Sequence, residues 1–182
     1  MAIDNIKIIN LTLNTKINTI KEQAKINEKT IYIRISGFKM IREIKLKDKE
    51  QWEKLYKGYA DFYKVEMNNK ILQTVWNWLH DKNHEVDGLV YEVDDNIVGF
   101  AHYRRMPSPL RGQDIGFLDD LFVDPKHRGQ KIGEKLINKM KEISKSKGWN
   151  LVRWITRDDN VKAKSLYDRV SEKTNWDVYE LK

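Results

Sequence analysis

Three stretches of the chain carry apolar residues at helical spacing. In residues 52–63, 71–79 and 132–143 the apolar side chains recur three and four positions apart, which is typical of a helix with one buried face. The third stretch ends at Lys147-Gly148, a cationic last turn followed by a C-terminal glycine. The sequence therefore predicts three amphipathic helices, and the many aromatic residues of the first two are best explained by core packing.

Between these helices the pattern changes to that of strands. Residues 89–93 and 97–103 are short apolar runs joined by a polar turn, which predicts a hairpin. Residues 116–123 extend this hairpin to a three-stranded meander. Residues 40–46 and 151–156 predict a strand before the first helix and another after the third.

Composition excludes several classes of protein. A chain of 182 residues is expected to form one domain with a sizeable core, and it has no apolar run long enough to predict a membrane span. It has no cysteine, which excludes disulfides, zinc–thiolate sites and a thiol nucleophile and fits a reducing cytoplasm. The four histidines do not have the spacing of a metal site, so no metal is predicted.

The positive charge of the chain is concentrated near its start. Residues 1–39 account for four of the seven net positive charges, and the rest of the chain is nearly balanced, so nucleic acid is not the expected partner. Residues 1–39 have neither the apolar core of a secretory signal nor the arginine content of a transit peptide. We expect residues 1–39 to be an N-terminal extension, with Met40 a candidate for the true start, and residues 40–182 to form the domain.

The most informative segment joins a strand to a basic, glycine-containing loop. The strand carries the adjacent acids Asp119 and Asp120, and residues 126–133 then lead into a helix. The backbone N–H groups and positive helix end of such a loop bind phosphate groups. The segment resembles the acetyl-CoA signature of the GNAT superfamily of N-acetyltransferases. Arg128 and Gly133 match that signature, whereas Lys131 stands in place of its middle glycine.

A second segment, residues 156–167, resembles another motif of the same family. In that motif an asparagine caps a helix beside the pantetheine arm, and a tyrosine hydroxyl faces the CoA sulfur. Asn160 suits the cap and Tyr167 matches the tyrosine. Tyr167 also belongs to an apolar stripe on the same helix, so core packing is the alternative explanation for it.

The resemblance covers about residues 40–182 and implies the fold and the cofactor. The fold is an α/β (α+β) arrangement, a mixed, mostly antiparallel sheet flanked by helices, with the acetyl-CoA site at a splayed pair of strands. The end of the chain, with a single strand expected at residues 176–181, resembles the subgroup with small amine and amino-acid acceptors. The implied cofactor-binding residues are Leu121, Phe122, Val123, Arg128, Gly129, Gln130, Lys131, Ile132, Gly133 and Asn160.

The chemistry of amine acetylation assigns further roles. An aliphatic amine has a pKa near ~10.4 and must lose a proton before it attacks, so a base is needed, and Asp119 is the candidate, directly or through a water; a structural salt bridge is the alternative. Strand alternation places Asp120 on the opposite face from Asp119. The backbone of Leu121 and Val123 is expected to stabilise the oxyanion, and Tyr167 to protonate the CoA thiolate.

The acceptor is expected to contact Asp120, Arg104 and Arg111. Residues 104–114 contain three arginines and two prolines, which favours either a substrate-facing loop or an ordinary solvated one; an arginine there can pair with a substrate carboxylate or a CoA phosphate.

We therefore expect an enzyme that transfers an acetyl group from acetyl-CoA to a primary amine of a small molecule, such as a polyamine or amino acid. The transfer is a direct attack in a ternary complex. One alternative is a protein or aminoacyl-RNA N-acetyltransferase, favoured by the basic extension and the arginines. The other is a non-catalytic acyl-CoA-binding module. Members of the family are often dimers, so a homodimer is a further expectation.

Overall fold

The computed structural model describes residues 37–181. Within this range the elements, in chain order, are β1 (Lys39–Glu43), α1 (Lys49–Tyr63), α2 (Asn69–Trp78), β2 (Val86–Val93), β3 (Asn96–Ser108), β4 (Gln113–Val123), α3 (Ile132–Ser146), β5 (Val152–Trp154) and α4 (Val161–Val170). Short 3-10 turns occur at Leu46–Asp48, Pro109–Arg111 and Pro125–His127. The predicted N-terminal extension lies almost wholly outside the described residues.

The five strands form one sheet in the order β1-β2-β3-β4-β5. The first four are antiparallel neighbours, and β5 runs parallel to β4. Pairing between β4 and β5 extends only from Gly116↔Val152 to Leu118↔Trp154, although β4 continues to Val123. The two strands therefore diverge after Leu118, which confirms the mixed, mostly antiparallel sheet and its splayed strand pair.

Helices cover both faces of the sheet, each over its own apolar cluster. Helices α1 and α2 pack on one face through residues that include Trp52, Leu55, Leu72, Trp76, Phe100 and Phe122. Helices α3 and α4 pack on the other through residues that include Leu118, Leu136, Met140, Trp149 and Leu166. Burying each large apolar side chain contributes roughly 1.5–3 kcal/mol, so the helical faces predicted from spacing are the faces that hold the sheet.

A buried ionic cluster fixes β1 to the start of α1. The Arg42 guanidinium bonds both oxygens of Asp48, at 2.6 and 2.9 Å, and also pairs with Glu92 on β2. The backbone N–H of Lys45 donates to Asp48 at 2.7 Å. Burial raises the pKa of the Asp48 carboxyl, but the hydrogen bonds and charge of Arg42 and the Lys45 N–H outweigh burial and hold that pKa below its usual value.

Two sequence predictions are wrong. Residues 104–114 are not a loop, because β3 continues to Ser108 and β4 begins at Gln113, leaving a tight turn that ends at Gly112 with φ +59°. Prolines and charged residues are typical of turns and loops, so the composition of this stretch hides the strand ends on either side of the turn. The strand expected at residues 176–181 is also absent, since the structure gives residues 171–181 no regular secondary structure and leaves Trp176 and Tyr179 exposed.

Candidate functional site

A β-bulge on β4 sets the geometry of the two adjacent acids. His102 on β3 pairs with Asp120 and Tyr103 pairs with Leu118, so Asp119 is an extra residue in the ladder. Leu118 and Leu121 both belong to the cluster beneath α3 and α4, although they are three positions apart. Strict alternation is therefore broken between them, and both carboxylates lie on the α1 side. The prediction that Asp119 and Asp120 face opposite sides of the sheet is wrong because of this bulge.

Asp119 lies where the strands begin to separate, one residue after the last β4–β5 pair. The Arg104 Nε donates to its Oδ1 at 3.1 Å, and the same guanidinium lies 4.8 Å from the centre of the Phe117 ring. The Asp119 Oδ2 is buried without a hydrogen-bond partner among residues 37–181. Burial raises the pKa of Asp119 above its usual value, the charge of Asp120 adds to the rise, and Arg104 opposes it in part.

Asp120 belongs to a buried polar network instead. The Trp52 Nε1 donates to His102 Nε2 at 2.9 Å, and His102 Nδ1 lies 2.9 Å from Asp120 Oδ2. An indole N–H can only donate, so His102 Nε2 carries no proton and the Nδ1–H donates to Asp120. Burial raises the pKa of Asp120, but the hydrogen bond and the electrostatic interaction with His102, together with the nearby Tyr59 and Tyr56, outweigh burial and hold that pKa below its usual value. This geometry favours a positioning role for Asp120 over direct contact with substrate.

The backbone of β4 past the bulge is open on the β5 side. The Asp124 N–H donates to Val98 on the β3 side of the strand at 2.9 Å. Backbone groups of successive strand residues point in alternate directions, so the N–H groups of Val123 and Leu121 point away from β3, into the splay. These are the two residues that the sequence assigned to the oxyanion.

A cleft of about 970 Å³ opens between the end of β4, the loop before α3, α4 and the end of α1. Nine of the ten residues assigned to the cofactor line it: Leu121, Phe122, Val123, Arg128, Gly129, Lys131, Ile132, Gly133 and Asn160. The tenth, Gln130, is exposed on the same loop and is not part of the cleft wall. Basic side chains outnumber acidic ones along the wall: Lys64, Arg128, Lys131, Arg157, Lys162 and Arg169 against Glu134 and Asp159. The cleft therefore suits a polyanionic ligand.

The loop before α3 departs from the family signature at Lys131. Lys131 occupies the N-cap position of α3 with φ +59°, and Gly129 has φ +81°. A non-glycine residue in this left-handed region is strained by about 1–2 kcal/mol, so a glycine is the natural residue there, and Lys131 replaces it with a cation on the cleft wall. The Arg128 Nε donates to the Val123 carbonyl at 3.1 Å, which ties the loop to the end of β4.

Tyr167 and Asn160 reach the same cleft from α4. The half-buried Tyr167 ring lies 5.4 Å from the ring of Trp154 at the end of β5, and burial, then the neighbouring Tyr63, raise the pKa of Tyr167 to about 12. Tyr167 thus packs against the core and also lines the cleft. Asn160 stands at the N-cap position, but its side chain makes no capping bond and donates to Thr156 Oγ1 at 3.1 Å.

The structure brings together some of the predicted acceptor residues but not all. Arg104 lies beside Asp119, whereas Arg111 is exposed in the turn at the opposite end of the β3–β4 hairpin. Asp119 lies six positions after Gln113 on β4, about 20 Å along a strand, so Arg111 is not part of this site.

Sequence reasoning missed His102, Trp52 and the cationic residues of α4 and its preceding loop. His102 has no local partner in the sequence, because Trp52, which bonds it, lies fifty residues earlier in the chain. A polar residue within the buried run of β3 was the available signal. For Arg157, Lys162 and Arg169, the signal was their position around the second family motif.

Residues 37–181 contain neither a membrane-spanning helix nor a cluster of metal ligands. No helix in this range is long and apolar enough to cross a membrane. No group of three or more histidine, aspartate or glutamate side chains in it is arranged to hold a metal ion.

Comparison with known proteins agrees with the geometry. A sequence model of the acetyltransferase (GNAT) family matches residues 51–171. The chain is 29% identical over 143 residues to the D-amino-acid N-acetyltransferase HPA3 of Saccharomyces cerevisiae, covering 78% of this chain and 89% of that protein. It is 38% identical over 71 residues to the thialysine N-epsilon-acetyltransferase of Bos taurus, covering 39% of this chain and 41% of that protein. Among solved structures, the aminoglycoside N-acetyltransferase AAC(6')-Iy in complex with CoA superposes with a TM-score of 0.69 at 18% identity, covering 83% of this chain and 99% of that one.

Proposed function

The chain belongs to the acetyltransferase (GNAT) family and is an N-acetyltransferase, and from this premise we propose that it acetylates a primary amine of a small molecule with acetyl-CoA. The observation that carries the proposal is the cleft at the strand splay. There a basic loop, two outward-pointing backbone N–H groups and Tyr167 lie along one continuous wall. Members of the family use acetyl-CoA, and the residues of this wall suit it.

The cationic wall would hold the cofactor. The free N–H groups at the start of α3 and the side chains of Arg128 and Lys131 suit the pyrophosphate. Arg157, Lys162 and Arg169 supply further positive charge on the α4 side of the cleft. Asn160, held by Thr156, suits the amide-rich pantetheine arm.

The residues at the splay would carry the reaction. Bound acetyl-CoA supplies a thioester whose carbonyl carbon is attacked by the amine, so that a C–N bond forms and the C–S bond breaks. Asp119 accepts the proton that the amine loses, directly or through a water, and its raised pKa improves it as a base. The N–H groups of Leu121 and Val123 stabilise negative charge on the carbonyl oxygen. Tyr167 donates its proton to the leaving sulfur, and with a pKa of about 12 it keeps that proton at neutral pH.

Arg104 gives the acceptor site a positive group beside its negative one. Of the Arg104 guanidinium, only Nε bonds Asp119 within the described part of the chain, so the two Nη groups are available to a substrate carboxylate. A cation next to a carboxylate suits an amino acid better than a polyamine. The names of the yeast and bovine relatives point to the same acceptor class.

The test is CoA release from acetyl-CoA across polyamines, D- and L-amino acids, aminoglycosides and basic peptides. We expect release that depends on a small amine and that falls about 100-fold or more in Tyr167→Phe, with acetyl-CoA binding retained. Tyr179→Phe, which removes a hydroxyl from the exposed C-terminal segment, is the matched control. Release with basic peptides alone would support a macromolecular acceptor. Binding of acetyl-CoA without any release would support a non-catalytic module.

The homodimer and the cytoplasmic location stay predictions.

A further inference from the structure

The β-bulge at Asp119 lies beside a histidine whose side chain reaches across it. His102 is the last residue of β3 before the register shifts, and it pairs with Asp120, the residue that follows the extra one on β4. The His102 Nδ1 lies 2.9 Å from Asp120 Oδ2, so the two side chains are bonded across the strands at the bulge itself. A bulge leaves its extra residue unpaired and disrupts the ladder locally. The side-chain bond therefore joins the two strands at the point where the backbone ladder is interrupted.

His102 is itself held in one orientation and with one donor. It is 2% exposed, and its ring centre lies 4.6 Å from that of Phe100 and 5.0 Å from that of Tyr56. The fully buried Trp52 donates its indole N–H to His102 Nε2 at 2.9 Å. Because an indole N–H can only donate, Nε2 is an acceptor and the Nδ1–H is left for Asp120. A buried network whose bonds are made rigidifies what it holds, and this one ends at the bulge.

The bulge determines where the Asp119 carboxylate lies. Asp119 is the extra residue of β4 and faces α1, the helix from which Trp52 reaches His102. Its Oδ2 is buried and has no hydrogen-bond partner among residues 37–181. Its bond from Arg104 belongs to a partly exposed pair, and pairs of that kind are weak. The position of Asp119 therefore depends mainly on the backbone of the bulge.

We propose that His102 is a positioning residue for Asp119: its bond to Asp120 pins the bulge, and the bulge holds the Asp119 carboxylate at the strand splay. This inference rests on the proposed function, in which Asp119 accepts the proton of the amine. A displacement of about 1 Å can slow a reaction about 100-fold. The described residues that line the cleft do not include His102, Trp52 or Asp120. Loss of the His102 bond should therefore slow the chemical step and leave acetyl-CoA binding intact.

The test compares His102→Asn with His102→Leu, two replacements of nearly the same shape. The asparagine amide can place an N–H near the position of Nδ1 and donate to Asp120, whereas leucine has no donor. Both replacements remove the imidazole from Trp52. We expect His102→Leu to lower kcat for a small amine about 10- to 100-fold and His102→Asn to keep it within about threefold, with the KM for acetyl-CoA within about twofold in both.

A spectroscopic measurement on the wild type tests the same network without any variant. Imidazole ¹⁵N NMR distinguishes the two neutral tautomers of a histidine. We expect His102, assigned through its own backbone resonances, to carry its proton on Nδ1 at neutral pH. Trp52→Phe keeps an aromatic ring but removes the N–H that bonds Nε2, so the Nε2-protonated tautomer should appear in that variant.

The outcomes separate this inference from the proposed function. Equal losses of kcat in the two His102 variants would make His102 merely structural and overturn the inference, as would an unchanged kcat in His102→Leu or a wild-type His102 protonated on Nε2. All three leave acetylation of the amine standing. If the wild type releases CoA only with a basic peptide, the small-molecule acceptor is overturned, and the same two variants assayed with that peptide decide the role of His102. If no acceptor gives release, the proposed function fails and this inference fails with it.

Discussion

Two arginine–aspartate pairs in this protein have the same composition but opposite effects on the pKa of the aspartate. In the Arg42–Asp48 pair both carboxylate oxygens are bonded and the side chains are 10% and 3% exposed. In the Arg104–Asp119 pair one atom of each partner takes part, Asp119 Oδ2 is left without a partner in the described range, and the side chains are 34% and 29% exposed. The pKa of Asp48 is lowered and that of Asp119 is raised.

The difference shows how the surroundings divide carboxylates between stability and chemistry. When both oxygens of a buried carboxylate accept hydrogen bonds, the ionised form is stabilised and the pKa is lowered. A partly buried carboxylate with one oxygen unbonded has a raised pKa and accepts a proton more readily, which improves it as a general base. On this basis we interpret the first pair as structural and the second as part of the active site.

The largest expected effect is the loss of activity in Asp119→Asn. The substitution keeps the shape of the side chain but removes its basicity, so kcat/KM for the amine should fall about 100-fold or more. Its stability should be equal to the wild type or higher at neutral pH, because the raised pKa means that the charged form of Asp119 is disfavoured in the folded protein. Steady-state kinetics and thermal unfolding of the same preparation measure both.

The matched control for this variant is Asp114→Asn, which changes an acid of the same strand that pairs with Arg105 near the hairpin turn. It should leave kcat/KM unchanged. Asp119→Asn activity close to that of the wild type would remove Asp119 from the mechanism and return it to the structural salt bridge that the sequence left open.

The next effect belongs to the structural pair. Asp48→Asn leaves the Arg42 guanidinium buried with one carboxylate fewer, and breaking a buried ion pair in this way costs about 3–5 kcal/mol of unfolding free energy. Denaturant unfolding measures this loss. At temperatures where the variant stays folded, its kcat/KM should match the wild type; a loss of activity without a loss of stability would contradict the division between the two pairs.

The same pair predicts the acid side of the stability curve. The folded-state pKa of Asp48 lies below its usual value of 3.8, so its contribution is fully present above that value and is lost as pH falls through the lowered pKa. The contribution of Asp119 to the free energy of unfolding changes with pH in the opposite direction. Its raised pKa means that the folded protein is relatively more stable when Asp119 is protonated. The wild type should therefore lose more stability on acidification than Asp48→Asn does.

The sequence predicted the elements of this fold well because their signals are local. Helical spacing placed α1, α2 and α3, and the polar turn at residues 94–96 placed the hairpin of β2 and β3. The basic loop and the Asn160–Tyr167 segment located the cleft wall. Each of these depends on residues within about a dozen positions of one another.

The details that decide the roles of the two acids are not local. Asp119 and Asp120 are identical residues, and only the register of β3 against β4 reveals which of them is the extra one. The alternation rule fails across a bulge, and nothing in the order of the residues marks the bulge. The His102–Trp52 bond joins residues that meet only after α1 has packed on the sheet. The sequence therefore identified both acids as candidates but could not assign the separate roles of Asp119 and Asp120.

The smallest expected effect is that of Arg104→Gln, which tests whether Arg104 lowers the pKa of Asp119. Arg104 opposes the rise in the pKa of Asp119, so removing its charge should raise that pKa further and move the acidic limb of the pH–rate profile to higher pH. Because the pair is partly exposed, the interaction is weak, and kcat/KM on that limb should fall only about two- to fivefold. Amino-acid acceptors should lose more than amines that lack a carboxylate. Arg105→Gln, one position along β3 and paired with Asp114 and Glu85, should leave the profile in place. A limb that moves to lower pH in Arg104→Gln, or moves equally in both variants, would mean that Asp119 does not set it.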